Sequence, residues 1–298
     1  MRNHAPTMLS ILIPTYNFDC TQLVQTLLQQ LPEDAEIVVG DDKSTDLSTK
    51  ERLDALGRMD HVRLVQPTKN LGSAGMRNLL CKEAKGNYLL YIDCDAIVEE
   101  NDFIKSYLKE LDGSVVCGTV LHPDVMPSPL QSLRWKYEKK MEKRFTADAR
   151  NKDPYHHFRT FHFLVPKTIM EAIPFDEEIK RSGYEDLLFG KRLEENGIRV
   201  RHVNISATNG DIESNEVYLK KTEGHIQTLL QTEEKLKDYS TLLIYNRKLE
   251  KLFLGGVFSM LFKTFKHLMK RNLLSKQPRI WVFQLYKLGL LREANNPS

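Results

Sequence analysis

Short β-rich runs alternate with segments of helical periodicity over residues 1–120 of the chain. The apolar runs lie near residues 9–13, 36–40, 62–66, 88–93 and 114–119, and the helical patterns lie near residues 20–30, 47–59, 73–84 and 101–111. Strands that alternate with helices in this way form a mostly parallel sheet with right-handed crossovers. The sequence therefore predicts an α/β fold in which the loops after the strands meet at one edge of the sheet.

The alternation breaks between residues 120 and 160, where prolines and a basic, aromatic stretch at 134–144 interrupt it. It resumes with a strand over 160–165, a helix from Lys167, a helix from Glu185 to Asn196 that Gly197 closes, and a strand over 199–203. Beyond Asn215 the pattern is helical, with Pro278 as the main break.

Two carboxylates follow the apolar run at residues 88–92, in the triplet Asp93-Cys94-Asp95. The carboxyl ends of strands are where open α/β sheets bind ligands. Because side chains alternate along a strand, we expect Asp93 and Asp95 on one side and Cys94 opposite. This arrangement suits a hard divalent cation that holds a nucleotide diphosphate. A polar turn that ends the strand is the alternative.

Four other segments lie where strands should deliver loops to the same edge. They are Pro14-Thr15-Tyr16-Asn17, Asp41-Asp42-Lys43-Ser44-Thr45-Asp46, Asn70-Leu71-Gly72-Ser73-Ala74-Gly75-Met76-Arg77-Asn78 and Gly183-Tyr184-Glu185-Asp186. In this order and spacing the segments resemble family 2 of the inverting glycosyltransferases, whose members have the GT-A fold and use nucleotide-sugar donors. The resemblance covers about residues 8–200. It departs from the family at Lys43, where Gly or another small residue is usual, and at Met76, where Ala is usual.

The resemblance implies a donor site at this edge. Its expected nucleotide-sugar-binding residues are Pro14, Thr15, Asn17, Asp41, Asp42, Arg77 and Asp93. A carboxylate at Asp41 or Asp42 can accept hydrogen bonds from a uracil imide or from ribose hydroxyls. Asp46 precedes a helix, and we assign it to N-capping. Arg77 matches the family's arginine that approaches the nucleotide, with an ordinary surface arginine as the alternative.

A sugar bound through phosphate leaves as a nucleoside diphosphate, so its transfer needs charge neutralisation and a base for the attacking hydroxyl. We expect Asp95 to ligate Mn²⁺ or Mg²⁺, with Asp93 as a supporting metal ligand or a partner of the ribose hydroxyls. Glu185 and Asp186 open a predicted helix, where the helix dipole favours carboxylates whatever their function. The family motif implies that Asp186 is the general base and that Glu185 lies on the acceptor side. No histidine of the chain has flanking residues that select it as a further metal ligand.

These expectations describe an inverting, metal-dependent glycosyltransferase of the hexosyl or N-acetylhexosaminyl type. We expect the donor to be a nucleotide sugar, with UDP sugars favoured, and the acceptor to be a glycan or a lipid-linked acceptor in surface polysaccharide synthesis. The GT-A domain would span residues 1–212, with a nucleotide-sugar half at about 8–120 and an acceptor side at about 120–212. A helical extension would follow over residues 213–298.

Two other functions remain open. A sugar nucleotidyltransferase of related architecture would need a Gly-rich, basic phosphate signature near the amino terminus, and Pro14-Thr15-Tyr16-Asn17 is not one. A catalytically silent glycan-binding or scaffold member of the same fold would not need both Asp95 and Asp186.

Composition limits the class of ligand and the cellular location that we expect for the protein. A net charge of only +3 gives no support to nucleic-acid binding. Four cysteines without metal-ligand spacing indicate reduced, buried thiols and hence a cytoplasmic protein. No charged and then apolar leader precedes the first strand, and the apolar stretch 252–262 is too short to span a bilayer. We expect a soluble protein or one that is peripheral on the inner face of the membrane.

The carboxy-terminal segment interleaves apolar and basic side chains. Its apolar residues run from Leu252 to Met269, and its basic residues include Lys251, Lys263, Lys266, Lys270 and Arg271. A basic, amphipathic helix is typical of contact with an anionic membrane surface. The alternative is a helix that packs its apolar side on the catalytic domain or on a second subunit.

Overall fold

The structure, a computed structural model, describes residues 8–179 and 183–295. Within these residues the chain forms two compact units. The first unit comprises residues 8–121, 145–179 and 185–210, and the second comprises residues 122–144, 183–184 and 211–295. The expected domain boundary near residue 212 stays a prediction.

Eight strands of the first unit form one sheet in the described part of the chain. They are β1 (Leu9–Thr15), β2 (Glu36–Asp41), β3 (Val62–Val65), β4 (Tyr88–Ile92), β5 (Ala96–Ile97), β6 (Val115–Leu121), β7 (His162–Pro166) and β8 (Val200–Asn209). Their order across the sheet is β3-β2-β1-β4-β7-β6-β8-β5. The neighbours β3, β2, β1 and β4 are all parallel, as the alternating pattern predicts.

Strand β7 lies antiparallel between β4 and β6. Strand β6 pairs in parallel with β8, and the short β5 pairs antiparallel with β8. A mostly parallel sheet is therefore confirmed, but the strand that follows β4 and β5 in the chain is not the neighbour of β4. An apolar run that is buried on both faces carries no information about which partner it takes or in which direction.

Helices cover both faces of the sheet and make up most of the second unit. The helices of the first unit are α1 (Thr21–Leu28), α2 (Leu47–Leu56), α3 (Gly72–Glu83), α4 (Phe103–Leu108), α6 (Ala147–Arg150), α7 (Lys167–Ala172) and α8 (Glu185–Glu195). Those of the second unit are α5 (Ser132–Arg144), α9 (Asn215–Gln231), α10 (Glu233–Leu236), α11 (Thr241–Lys251), α12 (Gly255–Leu273) and α13 (Ile280–Asn295).

Side chains of β1 point alternately into two apolar clusters, one on each face of the sheet. Ile11 and Ile13 lie in one cluster, which α1 closes with its buried stripe. Leu12 lies in the other, which α3 closes with Met76 and Leu80. A strand buried on both faces cannot slip in register without exposing part of this core, so the loops after β1 and β2 have fixed positions.

The second unit has a core of its own. Its buried members are Leu133, Leu219, Phe262, Leu273, Val282, Phe283 and Tyr286. Helices α12 and α13 approach closely at Gly289, where an added Cβ would lie 2.1 Å from the Phe262 ring. The Tyr286 hydroxyl donates a hydrogen bond to Glu223 at 3.1 Å.

All four cysteines are free, and Cys94 is only half-buried, so the expected burial holds for three of the four thiols. Cys20, Cys81 and Cys117 are buried, and burial raises the pKa of Cys20 and of Cys117 to about 12. These thiols are therefore protonated and unreactive at neutral pH. In the part of the chain that the structure describes, every helix is too short or too polar to cross a membrane.

Candidate active site

The triplet Asp93-Cys94-Asp95 lies at the carboxyl edge of the sheet, as expected, because β4 is flanked by β1 and β7. Strand β4 ends at Ile92, however, and the triplet forms a turn in which the Ala96 amide donates to the Asp93 carbonyl at 3.1 Å. The argument from strand alternation is therefore wrong for these residues. The turn, not a strand, sets the directions of the two carboxylates.

Arg77 of α3 holds Asp93. Its Nη2 donates to Asp93 Oδ1 at 2.6 Å, its Nη1 contacts Ser73 Oγ, and its guanidinium carbon lies 5.8 Å from the centre of the Phe175 ring. The residue is only 4% exposed, so the alternative of a surface arginine is wrong. Among the described residues, Arg77 Nε has no hydrogen-bond partner. A buried cation with an unused donor, beside a carboxylate, is typical of a site that binds an anionic ligand.

Several carboxylates gather at this edge. Burial raises the pKa of Asp93 to about 7; the Arg77 guanidinium opposes the rise, and the neighbouring carboxylates of Asp95 and Glu185 add to it. Like charges that are close together in a partly buried site favour protonation or a bound cation. Asp93 and Asp95 belong to the turn after β4 and Glu185 to the start of α8, so distant segments of the sequence meet here.

The loops after β1 and β2 are joined through Asn17. Its side-chain oxygen accepts hydrogen bonds from the backbone amides of Thr45 at 2.7 Å and Asp46 at 3.1 Å. The backbone amide of Asn17 donates to Ser44 Oγ at 2.8 Å. Just before it, Pro14 lies opposite Gly40 in the β1 and β2 register, and Thr15 Oγ1 donates to the Phe18 carbonyl at 2.9 Å.

Asp41 and Asp42 are both buried but have different partners. Asp42 accepts hydrogen bonds from the amides of Leu71 at 2.6 Å and Gly72 at 2.8 Å, at the start of α3. Burial raises the pKa of Asp42, and these two backbone donors oppose the rise. Asp41 accepts from the Ser44 amide at 2.8 Å and from Gln66 Nε2 at 3.2 Å. Gln66 gave no signal in the sequence, because its partner lies 25 residues away.

Asp46 is the N-cap of α2, as expected, and its side chain accepts from the Thr49 amide at 2.7 Å. The two positions that depart from the family pattern have distinct surroundings. Lys43 has a φ of +68°, in the left-handed region that favours glycine. Met76 Cε lies 2.3 Å from where a Cβ on Gly40 would be, so its longer side chain fills the space beside that glycine.

Asp186 lies in the first turn of α8 and is held from outside its helix. Its Oδ2 accepts a hydrogen bond from Arg159 Nη1 at 2.9 Å, and its Oδ1 accepts from the Leu187 amide at 2.7 Å. The Asp186 side chain is 23% exposed and that of Arg159 is 57% exposed. The sequence did not predict the role of Arg159, because no local pattern around an arginine before β7 indicates that it pairs with a residue of α8.

The two histidines of the first unit's core have structural partners. His162 Nε2 donates to the Thr119 carbonyl at 3.1 Å, and its Nδ1 accepts from Tyr107 Oη at 2.6 Å. Burial lowers the pKa of His162 to about 4 and that of His202 to about 4. The His162 ring lies against Gly118, where a Cβ would be 1.9 Å from His162 Cε1.

The described residues contain no group of three or more His, Cys, Asp or Glu side chains that could by itself hold a metal ion. Two carboxylates that leave other coordination positions to phosphate and water are nevertheless what Mg²⁺ uses in nucleotide sites. Asp95 and Asp93 fit that donor set, although Asp93 is already paired with Arg77.

The sequence pattern of glycosyl transferase family 2 matches residues 10–170. Glycosyltransferase GlyG of Streptococcus pneumoniae serotype 4 is 32% identical over 122 residues, which are 39% of this chain and 40% of that protein. The Escherichia coli protein named UDP-Glc:alpha-D-GlcNAc-diphosphoundecaprenol beta-1,3-glucosyltransferase WfaP is 34% identical over 92 residues, 30% of this chain and 35% of the relative. The matched segments thus span less than half of either relative's length.

Solved structures resemble nearly the whole chain. Residues 1–349 of Staphylococcus aureus TarS in complex with UDP-GlcNAc superimpose with a TM-score of 0.54 at 17% identity, over 96% of this chain and 89% of that one. Mannosyltransferase PcManGT of Pyrobaculum calidifontis, in complex with GDP-Man and Mn²⁺, gives a TM-score of 0.62 at 16% identity, over 98% and 88%. The fold is that of the GT-A glycosyltransferases. More specifically, the chain belongs to glycosyl transferase family 2.

Proposed function

We propose that this chain transfers a hexose or N-acetylhexosamine from a UDP sugar to a glycan or lipid-linked acceptor, with inversion and with Mn²⁺ or Mg²⁺. The observation that carries the proposal is the meeting of Asp93, Asp95, Arg77 and Glu185 at the carboxyl edge of the sheet, with Asp186 in the same turn of α8 as Glu185. This arrangement supplies both a cationic group for a diphosphate and a carboxylate for a proton. Family membership supports it.

The donor's nucleotide would bind between the loops after β1, β2 and β4. Both carboxylate oxygens of Asp42 accept hydrogen bonds from the amides of Leu71 and Gly72, so Asp42 would fix the loop before α3. Asp41 is the better candidate for a uracil imide or a ribose hydroxyl, because one of its contacts is the long bond of 3.2 Å from the exposed Gln66. Pro14, Thr15 and Asn17 would border the same loop.

Arg77 would contact the donor through the part of its guanidinium that is not paired with Asp93. Its Nη2 is taken by Asp93 Oδ1, and its Nε has no partner among the described residues. The pair therefore presents a fixed, buried cation close to the position we assign to the leaving phosphates. A divalent cation held by Asp95, with Asp93 in support, would neutralise the negative charge that develops on the leaving diphosphate.

Asp186 would take the proton from the acceptor hydroxyl. Arg159 fixes Oδ2 and the Leu187 amide fixes Oδ1, so the carboxylate has one orientation before any acceptor arrives. A base with a fixed orientation and an exposed edge needs little rearrangement to reach the proton. Because the sugar is attacked from the face opposite the leaving group, one base and one displacement give inversion. Glu185 would orient the acceptor.

A lipid-linked acceptor is one form of this proposal. The relative WfaP carries a diphosphoundecaprenol acceptor in its name, which supports the lipid class without assigning that molecule to this chain. The free, buried thiols fit the cytoplasm, where UDP sugars are also found. We therefore place the reaction in surface polysaccharide synthesis, at the inner face of the membrane.

The decisive experiment is a donor screen with the purified full chain. UDP-Glc, UDP-GlcNAc and GDP-Man are each incubated with Mn²⁺ or with a chelator, and released nucleoside diphosphate is measured, since donor hydrolysis needs no acceptor. We expect release of UDP that Mn²⁺ stimulates. Once an acceptor is found, the anomeric configuration of the product by NMR tests inversion.

Other outcomes identify the alternatives. Formation of pyrophosphate from UTP and a sugar phosphate would identify a nucleotidyltransferase. Glycan binding without nucleotide release from any donor would identify a silent member of the fold. UDP release that the chelator leaves unchanged would contradict the metal assignment while leaving the transferase assignment in place.

A further inference from the structure

Helix α12 of the second unit exposes a continuous apolar face. Its members are Val257 (53% exposed), Met260 (62%), Leu261 (46%), Phe265 (47%) and Leu268 (56%). Their spacing of three and four residues places them on one side of the helix. The turn before α12 continues the face with Phe253, which is 92% exposed and has a φ of +57°.

The opposite face of α12 already has its packing partners. Phe262 is 3% exposed and Leu273 is fully buried. The Phe262 ring lies 5.8 Å from the Tyr286 ring of α13 and fills the space left by Gly289. The exposed face is therefore additional to the one that the fold of the second unit requires. Exposed apolar residues in one contiguous row mark a surface that meets an apolar phase or a partner.

Charge identifies the occupant of this face. The segment from Lys251 to Arg292 contains nine Lys or Arg residues and no Asp or Glu, although the whole chain carries a net charge of only +3. Lys263, His267 and Arg271 are all exposed and spaced four residues apart, so they form a row on one flank of the apolar face. Two copies of such a face would bring like charges together, whereas an anionic lipid surface complements both features.

We propose that the exposed face of α12 binds peripherally to an anionic lipid surface. The apolar side chains enter the boundary between head groups and acyl chains, and the Lys263, His267 and Arg271 row contacts anionic head groups. Trp281 at the start of α13 is 60% exposed, a residue type that favours the membrane interface. The binding does not depend on the proposed sugar transfer and is tested without any donor.

The test is co-sedimentation of the full chain with vesicles of phosphatidylglycerol and phosphatidylcholine, compared with phosphatidylcholine alone. We expect binding to the anionic vesicles only, weakening as ionic strength rises above about 0.1 M, where charges are screened beyond roughly 10 Å. The double variant Phe265→Ser/Leu268→Ser should weaken binding by about tenfold or more, because each large side chain loses its burial in lipid. Lys263→Gln/Arg271→Gln should weaken it about tenfold at low salt.

Matched controls separate this face from general surface effects. Leu47→Ser/Val125→Ser changes two apolar residues of similar or greater exposure outside α12, and Lys140→Gln/Lys220→Gln removes two exposed charges elsewhere. Both should bind vesicles like the unchanged chain. Unfolding curves of all four variants check that the fold survives.

Three results would overturn the proposal. The first is an unchanged chain that ignores anionic vesicles, and the second is equal binding by the α12 variants and their controls. The third is a dimer, seen by analytical ultracentrifugation, that the Phe265→Ser/Leu268→Ser variant dissociates; the face would then join two copies of the chain.

Discussion

The first unit buries charged groups at its sheet edge, whereas the second exposes a row of apolar groups on α12. Arg77 is 4% exposed and Asp42 is 5% exposed beside the sheet edge, while Met260 of α12 is 62% exposed. Each is the opposite of what solvent favours for its residue type. We interpret these groups through the two binding events proposed above, an anionic ligand at the sheet edge and a lipid surface on α12. The comparison teaches that both proposals rest on several such exceptions lying together, and not on single ones such as Leu47.

Substitution of Asp95 should give the largest effect, and it tests the role that we propose for the carboxylates at the sheet edge. Asp95→Ala should abolish the Mn²⁺-stimulated part of UDP release and weaken UDP binding measured calorimetrically in Mn²⁺. The fold should survive, because Asp95 is only half-buried in a turn. Asp54→Ala, an exposed acid on α2, is the control. Equal Mn²⁺ stimulation in Asp95→Ala and in the control would show that the carboxylates gathered at this edge have no role with the cation.

The proposed base gives the next largest effect. Asp186→Asn keeps the shape of the side chain and its contact with the Leu187 amide but cannot take a proton. Transfer should fall by roughly 10²–10⁴-fold while UDP affinity stays nearly unchanged. Arg159→Met leaves the carboxylate in place without its fixed orientation, and we expect a smaller loss. If Asp186→Asn loses UDP binding instead, Asp186 belongs to the donor site.

His162 is buried in the first unit but has no proposed role in ligand binding, so its effect should appear in stability alone. His162 has a pKa of about 4 in the folded chain against an ordinary value near 6.5, because burial disfavours its charged form. Stability should therefore be intact above pH 6.5 and fall by roughly 3 kcal/mol as pH drops toward 4, because the unfolded chain binds the proton first. His162→Gln should show a flatter dependence in denaturant titrations between pH 7 and pH 4. An equally steep curve would assign the loss to other groups.

Removal of Arg77 should give the smallest of the four effects. Arg77→Met leaves Asp93 without its partner and should destabilise the chain by about 2 kcal/mol, discounted because the Asp93 side chain is 30% exposed. The double variant Arg77→Met/Asp93→Leu should recover part of this loss, since neither charge is then left alone. Unfolding in urea measures both. Saturating UDP should stabilise the unchanged chain more than either variant.

Much of the first unit was predictable, because its signals are local. Strands β1 to β4 begin and end within two residues of the expected bounds, and the N-cap at Asp46 follows from residue type alone. The position of Asp93 at a central strand's end was predictable for the same reason. The place of β7 between β4 and β6 was not, because hydrophobic periodicity specifies burial and not partners.

The residues of the candidate site could be proposed from the sequence, but their contacts could not. Sequence motifs pointed to Arg77, Asp93 and Asp186, but the partners that hold them came from distant segments. Asp186 meets Arg159 across 27 residues, and Asp41 meets Gln66 across 25. Pairings of this kind depend on how loops fold over the sheet edge, and a single polar residue carries no periodic signal of its partner.

The contact between Gly118 and His162 has a consequence for how this sequence can change over generations. A methyl group on Gly118 would overlap a rigid imidazole ring at 1.9 Å, and the ring is held on both nitrogens. Gly118 cannot therefore be replaced first. A smaller residue at position 162 removes the closest contact, and alanine at position 118 then fits only if the Tyr107 hydroxyl, 2.5 Å from the added Cβ, also shifts. Substitutions at this pair therefore have an order, in which a change at His162 has to come before a change at Gly118.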